Sequence, residues 1–198
     1  MSTLLFPFME KFLMRYPAEE TAERHRLILE VASVLFRERG FDGVSVGQVM
    51  KASGMTQGAF YHHFESKEAL IEECLRNASA KSLKKMAGFA ERPELMAAHI
   101  QEYISEWHRD ALGTGCMIAA LGSDAAHEPF VQPVFTEHVE GVLNGLMMPG
   151  VSSEPKGSRR DAIQTLSGMV GALILSRAVD DPELSNEILR ESRSGFEK

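Results

Sequence analysis

A chain of 198 residues suits one medium domain or a small module packed on a larger one, and its 44% apolar residues exclude a disordered chain. Two cysteines, Cys74 and Cys116, exclude a disulfide framework, and no apolar run is long enough to span a membrane, so we expect a cytoplasmic protein without membrane contact. The net charge of −7 argues against a generally basic surface, but residues 68–198 hold 13 basic and 20 acidic side chains, whereas residues 15–67 hold seven of each.

The first predicted elements are an extension and a long helix. Residues 1–18 begin with an apolar run that contains Pro7 and lacks the basic start of a signal peptide, so we interpret them as an N-terminal extension. Apolar residues then recur at i, i+3, i+4 and i+7, which predicts a helix over residues 20–39. Gly40 is suited to end this helix, because glycine readily adopts the left-handed conformation found after many helices.

Two short helices joined by a tight turn are predicted next. Ser45 is expected to cap a helix that ends near residue 52, and Gly54 is expected to break it. Thr56 is expected to cap a second helix, which ends near Phe64. At 100° per residue, one face of this second helix is polar or small and the other is aromatic. The polar face is Gln57, Gly58, Tyr61 and His62, and the aromatic face is Phe60 and Phe64.

The rest of the chain also has helical periodicity, and strand patterns are scarce throughout. A helix capped by Ser66 carries an apolar stripe that reaches Ala78. A helix from Pro93 is expected to end before Gly113, and composition predicts a loop over residues 149–158. Further helices are expected to begin at Cys116, Pro129, Arg159 and Pro182. The predicted fold class is therefore all-α.

Two short helices with a glycine turn are the form of a helix-turn-helix, whose second helix enters the major groove of DNA. The polar face of the second helix offers an amide and an imidazole, which can hydrogen-bond base edges, and a phenol, which suits phosphates. The glycine on this face permits close approach of the backbone to DNA. Phe60 and Phe64 are expected to anchor the helix on the core.

The run from Gly40 to Leu70, GFDGVSVGQVMKASGMTQGAFYHHFESKEAL, resembles the DNA-binding domain of the TetR family of transcription regulators. Met50 departs from the small residue that the family usually has at its position. The matching positions are Gly40 and Phe41, Ser45, Val49, Gly54, Gly58, Phe60 and Tyr61, His63 and Phe64, and Ser66, Lys67 and Glu68. The resemblance implies an N-terminal three-helix helix-turn-helix domain over residues 19–66. It also implies a C-terminal helical ligand-binding and dimerisation domain over residues 67–198.

The function implied by this resemblance is that of a ligand-responsive repressor. Such a regulator binds a palindromic operator in double-stranded DNA as a homodimer, and a small-molecule effector releases it. The residues implied to face bases are Gln57, Gly58 and His62, and those implied to grip phosphates are Tyr61 and Lys67. Ser45 and Thr56 are implied to cap their helices, Thr56 with an additional phosphate contact, while His63 lies between the two helix faces.

Inward-facing residues of the second half suit a pocket between helices, because they mix methionine, aromatic and polar side chains. These candidate ligand-binding residues are Met96, Ile100, Tyr103, Trp107, Phe130, Phe135, His138 and Met169. For any one of them ordinary core packing is the alternative, since the same helical spacing marks both. The set suits a mid-sized apolar or aromatic ligand.

The helix over residues 159–179 has more apolar surface than a one-sided helix needs, together with glycines that permit close helix approach. With the last helix, it is predicted to form a four-helix interface between two copies of the chain. The alternative is a helix inside a monomer. The predicted face comprises Leu166, Met169, Val170, Leu173 and Ile174.

Other functions have little support in the sequence. It contains no P-loop motif and no H-E-x-x-H pair, so we expect neither an enzyme nor a cofactor. His62 and His63 point about 100° apart on a helix and lack a third ligand nearby, so no metal is expected. Cys116 is a candidate oxidant sensor at a helix start, but core packing is favoured because no basic residue lies near it in sequence. A constitutive DNA-binding protein without a ligand remains the alternative function.

Overall fold

The computed structural model describes the backbone of residues 6–147 and 158–196. All regular structure within these residues is helical, which confirms the all-α class, and none of these helices is long and apolar enough to cross a membrane. Two 3-10 segments, Gln57–His62 and Gly88–Glu91, lie among the α-helices. The α-helices are α1 (Phe6–Arg39), α2 (Val46–Ala52), α3 (Lys67–Ala87), α4 (Pro93–Tyr103), α5 (Glu106–Asp110), α6 (Met117–His127), α7 (Gln132–Leu146), α8 (Arg159–Ala178) and α9 (Pro182–Ser194). Residues 149–157 of the predicted loop lie outside the described residues.

Helix α1 begins within the predicted extension and ends where glycine was expected. Gly40 has a φ of +73°, and its amide donates to the carbonyl of Phe36 at 2.8 Å. Ser45 then caps α2, since its Oγ accepts from the amide of Gln48 while Gln48 Oε1 accepts from the Ser45 amide at 2.7 Å. Gly54 ends α2 with a φ of +72°. These local turns confirm the predicted order of the helix-turn-helix.

The second short helix differs from the prediction. It is the 3-10 segment Gln57–His62, which stops before Phe64, and its bonds include Ala59 N to Thr56 O at 3.0 Å. Thr56 occupies the N-cap position, but its side chain makes no capping bond, so the predicted cap is wrong. The i→i+3 bonds of a 3-10 segment have poorer geometry than those of an α-helix, and such segments are accordingly short.

Two helix boundaries in the second half were also predicted wrongly. Helix α4 ends earlier than expected because Ser105 caps a new helix, α5, where its Oγ accepts from the amide of His108 at 3.2 Å. This break turns Trp107 outward, with 68% of its surface exposed, although it was predicted to face inward. The second wrong boundary is the start of α7, which was expected at Pro129. The helix begins at Gln132 and has Pro133 in its first turn, while Pro129 lies in the turn before it.

Buried apolar side chains form two clusters. The first joins α1, α2, Gln57–His62 and α3 to α6 and the start of α7, and it contains Phe36, Phe60 and Leu121. The second lies among α4, α7, α8 and α9 and contains Leu173. Helix α3 belongs to both clusters and therefore connects them. Because the first cluster includes α6, the predicted domain boundary between residues 66 and 67 does not coincide with a gap in the core and stays a prediction.

Candidate nucleic-acid interface and ligand cavity

The segment Gln57–His62, here called the recognition segment, presents exposed side chains above a buried aromatic anchor. Phe60 is fully buried, and its ring lies 5.3 Å from the Tyr61 ring and 5.5 Å from the Phe64 ring. Tyr61 is 73% exposed. The residues exposed together, here called the exposed row, are Gln57, Gly58, Tyr61 and His62. An amide, a phenol and an imidazole in one row can hydrogen-bond both bases and phosphates.

The other residues expected at DNA lie at the ends of the neighbouring elements. Ser45 Oγ takes part in the capping of α2, whereas Thr56 is exposed and its hydroxyl makes no capping bond. Lys67 is the half-buried first residue of α3, directly after Ser66, whose Oγ accepts from the Ala69 amide at 3.2 Å. The amides of a helix N-terminus beside an ammonium group suit a phosphate.

His63 is set apart from the exposed row. Its half-buried ring lies 5.9 Å from the His25 ring and 6.3 Å from the Phe64 ring. Desolvation, followed by the nearby His25, His62 and Arg24, lowers the pKa of His63, so its ring is uncharged at neutral pH. His63 therefore takes up a positive charge less readily than an ordinary histidine.

A cavity of about 410 Å³ lies among α1, α3, α4, α5, α6 and α7. Three of the predicted ligand-binding residues line it: Tyr103, Trp107 and His138. The other five lie elsewhere. Met96, Ile100 and Met169 are buried in the second core cluster, Phe135 is buried in the first, and Phe130 packs half-buried against the first. Helical periodicity marks every inward position alike, so it did not separate the cavity wall from the core.

The cavity also contains polar residues that the sequence did not single out. Arg37 was not predicted because its helix was assigned to the DNA-binding domain. His99 and His108 were not predicted because isolated histidines show no characteristic spacing. His108 has both ring nitrogens occupied: Nδ1 donates to the carbonyl of Tyr103 at 2.8 Å, and Nε2 accepts from the amide of Cys116 at 3.0 Å. These bonds require the neutral ring and hold the break between α4 and α5 to the start of α6.

The cavity has a positive balance of charge. Burial is the first cause that lowers the pKa of His99, His108 and His138, so all three rings are uncharged at neutral pH. His138 Nδ1 lies 3.0 Å from Ser79 Oγ, and this hydrogen bond joins α7 to α3. The charged residues in the wall are Arg37, Lys81, Lys85 and Glu102, three basic groups against one acidic group.

Helix α6 connects the cavity to the helix-turn-helix. Its first residue, Met117, lines the cavity, and Asp124 near its other end accepts from the Phe41 amide at 2.8 Å. A methyl group added at Gly40 would approach Asp124 Oδ2 to 2.6 Å, so glycine is needed there for this contact as well as for its positive φ. The carboxylate thus holds the turn between α1 and α2.

Helix α8 leaves an apolar surface exposed that matches the predicted face only in part. Met169 and Leu173 are buried inside their own subunit, because α9 and α7 pack against that side of α8. The exposed side carries Ile163, Ile174 and Leu175. Of the predicted face, Ile174 is exposed and Leu166 and Val170 are half-buried, so the two faces overlap without coinciding.

The two cysteines are both free thiols. Cys74 is buried, its Sγ donates to the carbonyl of Leu29 at 3.5 Å, and burial raises its pKa to about 12. Cys116 is half-buried in the cavity wall. Among the described residues, no group of three His, Cys, Asp or Glu side chains is placed to hold a metal ion.

Comparison with known proteins identifies a family model that matches the part of the chain containing the recognition segment. Residues 28–74 match the model of the family described as bacterial regulatory proteins, tetR family. Over 63 residues the chain is 40% identical to the HTH-type transcriptional repressor KstR2 of Rhodococcus jostii (strain RHA1), an alignment that covers 30% of this chain and 31% of that protein. The chain therefore spans less than a third of the length of this relative.

Two solved structures share the fold over most of the chain. The reduced form of E. coli NemR has a TM-score of 0.72 at 18% identity, covering 88% of this chain and 95% of that one. AibR in complex with isovaleryl coenzyme A and operator DNA has a TM-score of 0.57 at 18% identity, covering 87% and 97%. At such identities the likeness concerns the fold alone. The recognition segment and its buried anchor lie within the residues that match the tetR family of bacterial regulatory proteins.

Proposed function

We propose that this protein is a transcription repressor that binds a palindromic operator in double-stranded DNA as a homodimer and is released by a small molecule in the cavity. The proposal is carried by one observation: the exposed row lies on a segment anchored by the buried Phe60, within the residues that match the tetR family. Gln57, Gly58 and His62 then read bases, while Tyr61 and Lys67 hold phosphates.

A homodimer is proposed because a single recognition segment reads too few base pairs for useful affinity. The exposed side of α8 supports a twofold interface: Ile163, Ile174 and Leu175 are apolar, and a side chain at Gly171 would meet open space. On α9, which packs against α8, Leu184 is also exposed. Two copies of such a surface would form a self-complementary four-helix interface.

Release by a ligand is proposed because two helices span the distance from the cavity to the DNA-facing residues. Helix α3 begins at Lys67 and contributes Ala78 and Lys81 to the cavity wall. Helix α6 runs from the cavity to Asp124, which holds the turn before α2. AibR, which shares the fold, was solved with both a ligand and operator DNA, and this supports the same division of tasks. Coupling between two such sites is typically about 1–3 kcal/mol.

The test begins with selection of DNA sequences from a random pool by the purified protein, followed by mobility-shift titration of the selected duplex. Binding to an inverted repeat at least a thousand-fold tighter than to scrambled DNA is the expected result, within the roughly 10³–10⁷ range of specific regulators. Equal affinity for both duplexes would reject the proposal. Tight binding that no compound stabilising the protein can change would favour the constitutive alternative.

A further inference from the structure

The buried polar atoms that lack partners converge on one place. Among the described residues, three buried side-chain nitrogen or oxygen atoms have no hydrogen-bond partner: Arg37 Nε, His99 Nδ1 and Tyr103 Oη. All three residues line the cavity. His99 Nδ1 lies 3.9 Å from the nearest carboxylate oxygen, of Glu102, which is too far for a hydrogen bond. Because such groups are normally satisfied, this coincidence indicates a partner that enters the cavity.

Arg37 brings a charge without a counterion. Its Nη1 donates to Ser33 and, at 3.4 Å, to the carbonyl of Gly113, but no carboxylate of the described residues lies within 4.0 Å of its guanidinium. Burial is the main cause that lowers the pKa of Arg37, yet an arginine stays protonated at neutral pH. The neighbouring lysines have weak partners, with Lys81 3.9 Å from Glu30 and Lys85 3.8 Å from Glu102. The site therefore favours an anion.

Tyr103 is available as a donor. The residue is 8% exposed, and burial, followed by the adjacent Cys116 thiol, raises the pKa of its hydroxyl, which keeps the proton in place. A protonated phenol and a guanidinium in the wall of one cavity can both donate to a carboxylate bound there. Apolar wall residues such as Trp107, Met117 and Ala78 surround the remaining space, and about 410 Å³ suits a small organic molecule.

We propose that the effector is an organic anion, a carboxylate on an apolar or aromatic body, with Arg37, Tyr103 and His99 as its donors. The proposal assigns a ligand class to the cavity. Only the effect of this ligand on operator affinity rests on the proposed function as a repressor. Arg37 belongs to α1, close to the turn held by Asp124, so an anion that attracts its guanidinium acts directly on the helix-turn-helix.

The test uses the single tryptophan, Trp107, as an intrinsic reporter in the cavity wall. The full chain, without DNA, is titrated with phenylacetate and 4-phenylbutyrate and with their neutral primary amides. We expect each acid to change the Trp107 emission and to bind at least about ten-fold more tightly than its amide, because a charge-assisted bond is about twice as strong as a neutral one. Arg37→Gln should abolish this preference. Arg26→Gln, an exposed arginine on the same helix, should retain it.

A second variant tests the proposal independently in case Arg37→Gln does not fold. Tyr103→Phe removes an unpartnered buried hydroxyl, so we expect an unchanged or higher melting temperature for the empty protein together with several-fold weaker binding of the acids. A hydroxyl with a purely structural role would lower the melting temperature instead. Equal binding of acids and amides, or no response to either acid up to about 10 mM, would overturn the proposal. Neutral compounds that release DNA would then leave the proposed function standing, whereas acids that bind without changing operator affinity would refute only the regulatory role.

Discussion

The recognition segment and the cavity use the same types of side chain in opposite surroundings. Tyr61 is 73% exposed beside an exposed imidazole, whereas Tyr103 is 8% exposed between the buried His108 and the half-buried His99. On the surface, a polar group without a protein partner is hydrated at no cost. In the cavity, the same group carries a desolvation penalty until a ligand arrives. An unpaired phenol is therefore uninformative at Tyr61, but at Tyr103 it indicates a binding partner.

The two regions also differ in how they are assembled. The residues proposed to face DNA lie between positions 45 and 67, and the turns around them depend on bonds between near neighbours, such as Ser45 with Gln48. The cavity combines side chains from position 37 to position 138. Substitutions at the first region should therefore affect DNA contact directly, and those at the second should act through packing and ligand binding.

The largest expected effect is at neither region but at the surface that would pair two recognition segments. Leu175 is 56% exposed on α8, and Leu175→Glu should convert the dimer to a monomer because it buries two charges at a twofold contact. Light scattering should then give the 21.9 kDa of one chain, and operator affinity should fall roughly 100-fold or more as half the base contacts are lost. Leu112→Glu, at a residue 43% exposed between α5 and α6, is the matched control and should stay dimeric. A dimeric Leu175→Glu would show that α8 is not the interface.

Substitutions in the recognition region should separate general from sequence-specific DNA contact. Lys67→Ala should weaken binding to every duplex and reduce the salt slope by about 1, whereas Gln57→Ala should alter the preferred base at a cost of about 1–3 kcal/mol. Mobility-shift titrations at several salt concentrations measure both effects. Lys84→Ala changes the same charge at an exposed position of α3, and an equal loss of salt slope there would mean that Lys67 does not contact phosphate.

The hydrogen bond from the Phe41 amide to Asp124 joins the turn before α2 to α6, and a substitution at Asp124 removes it. Asp124→Ala leaves the amide of the buried Phe41 without its acceptor, and we expect about 1–3 kcal/mol lower free energy of unfolding in urea titrations. The same variant should weaken any effect of a ligand on operator affinity. Asp124→Asn keeps an acceptor oxygen and should recover most of the stability, so an equally unstable Asn variant would assign the effect to charge rather than to the hydrogen bond.

The smallest expected effect is a pH dependence of stability from the buried histidines. Burial lowers the folded-state pKa of His99, His108 and His138 below the ordinary value of 6.5, so the unfolded chain binds protons more readily. Their contribution to stability is complete above pH 6.5 and is lost as the pH falls towards the folded-state values. The melting temperature should therefore drop between pH 7.5 and pH 5.5.

Two variants identify the source of this pH dependence. His138→Gln should flatten the curve of melting temperature against pH, because it removes one of the three buried bases. The exposed His127→Gln should leave the curve unchanged. The exposed carboxylates with lowered pKa values, Glu68, Asp110 and Glu140, have ordinary values of 4.5 or less and act at lower pH. A curve without slope between pH 7.5 and pH 5.5 would contradict the assignment.

Sequence patterns predicted the residues of the exposed row correctly even though the segment is 3-10 rather than α-helical. Phe60 and Phe64 were expected to be buried and are, because aromatic side chains anchor such a short segment in either geometry. The cap of Thr56 was predicted wrongly, since a cap bond depends on the turn that follows and not on residue type alone. Trp107 was predicted to face inward because the break at Ser105 was not anticipated.

The sequence by itself determined the helical fold and the helix-turn-helix of this protein, because caps such as Ser45 with Gln48 and turns such as Gly40 and Gly54 act between near neighbours. The tertiary structure alone decided which inward positions line a cavity and which side of α8 stays exposed. Both depend on how distant helices pack, and packing placed Arg37 and Tyr103 in the wall of one cavity while it buried Met96 and Leu173 in the core. Periodicity identifies a face as inward, but only the neighbouring helices decide whether that face meets side chains or empty space.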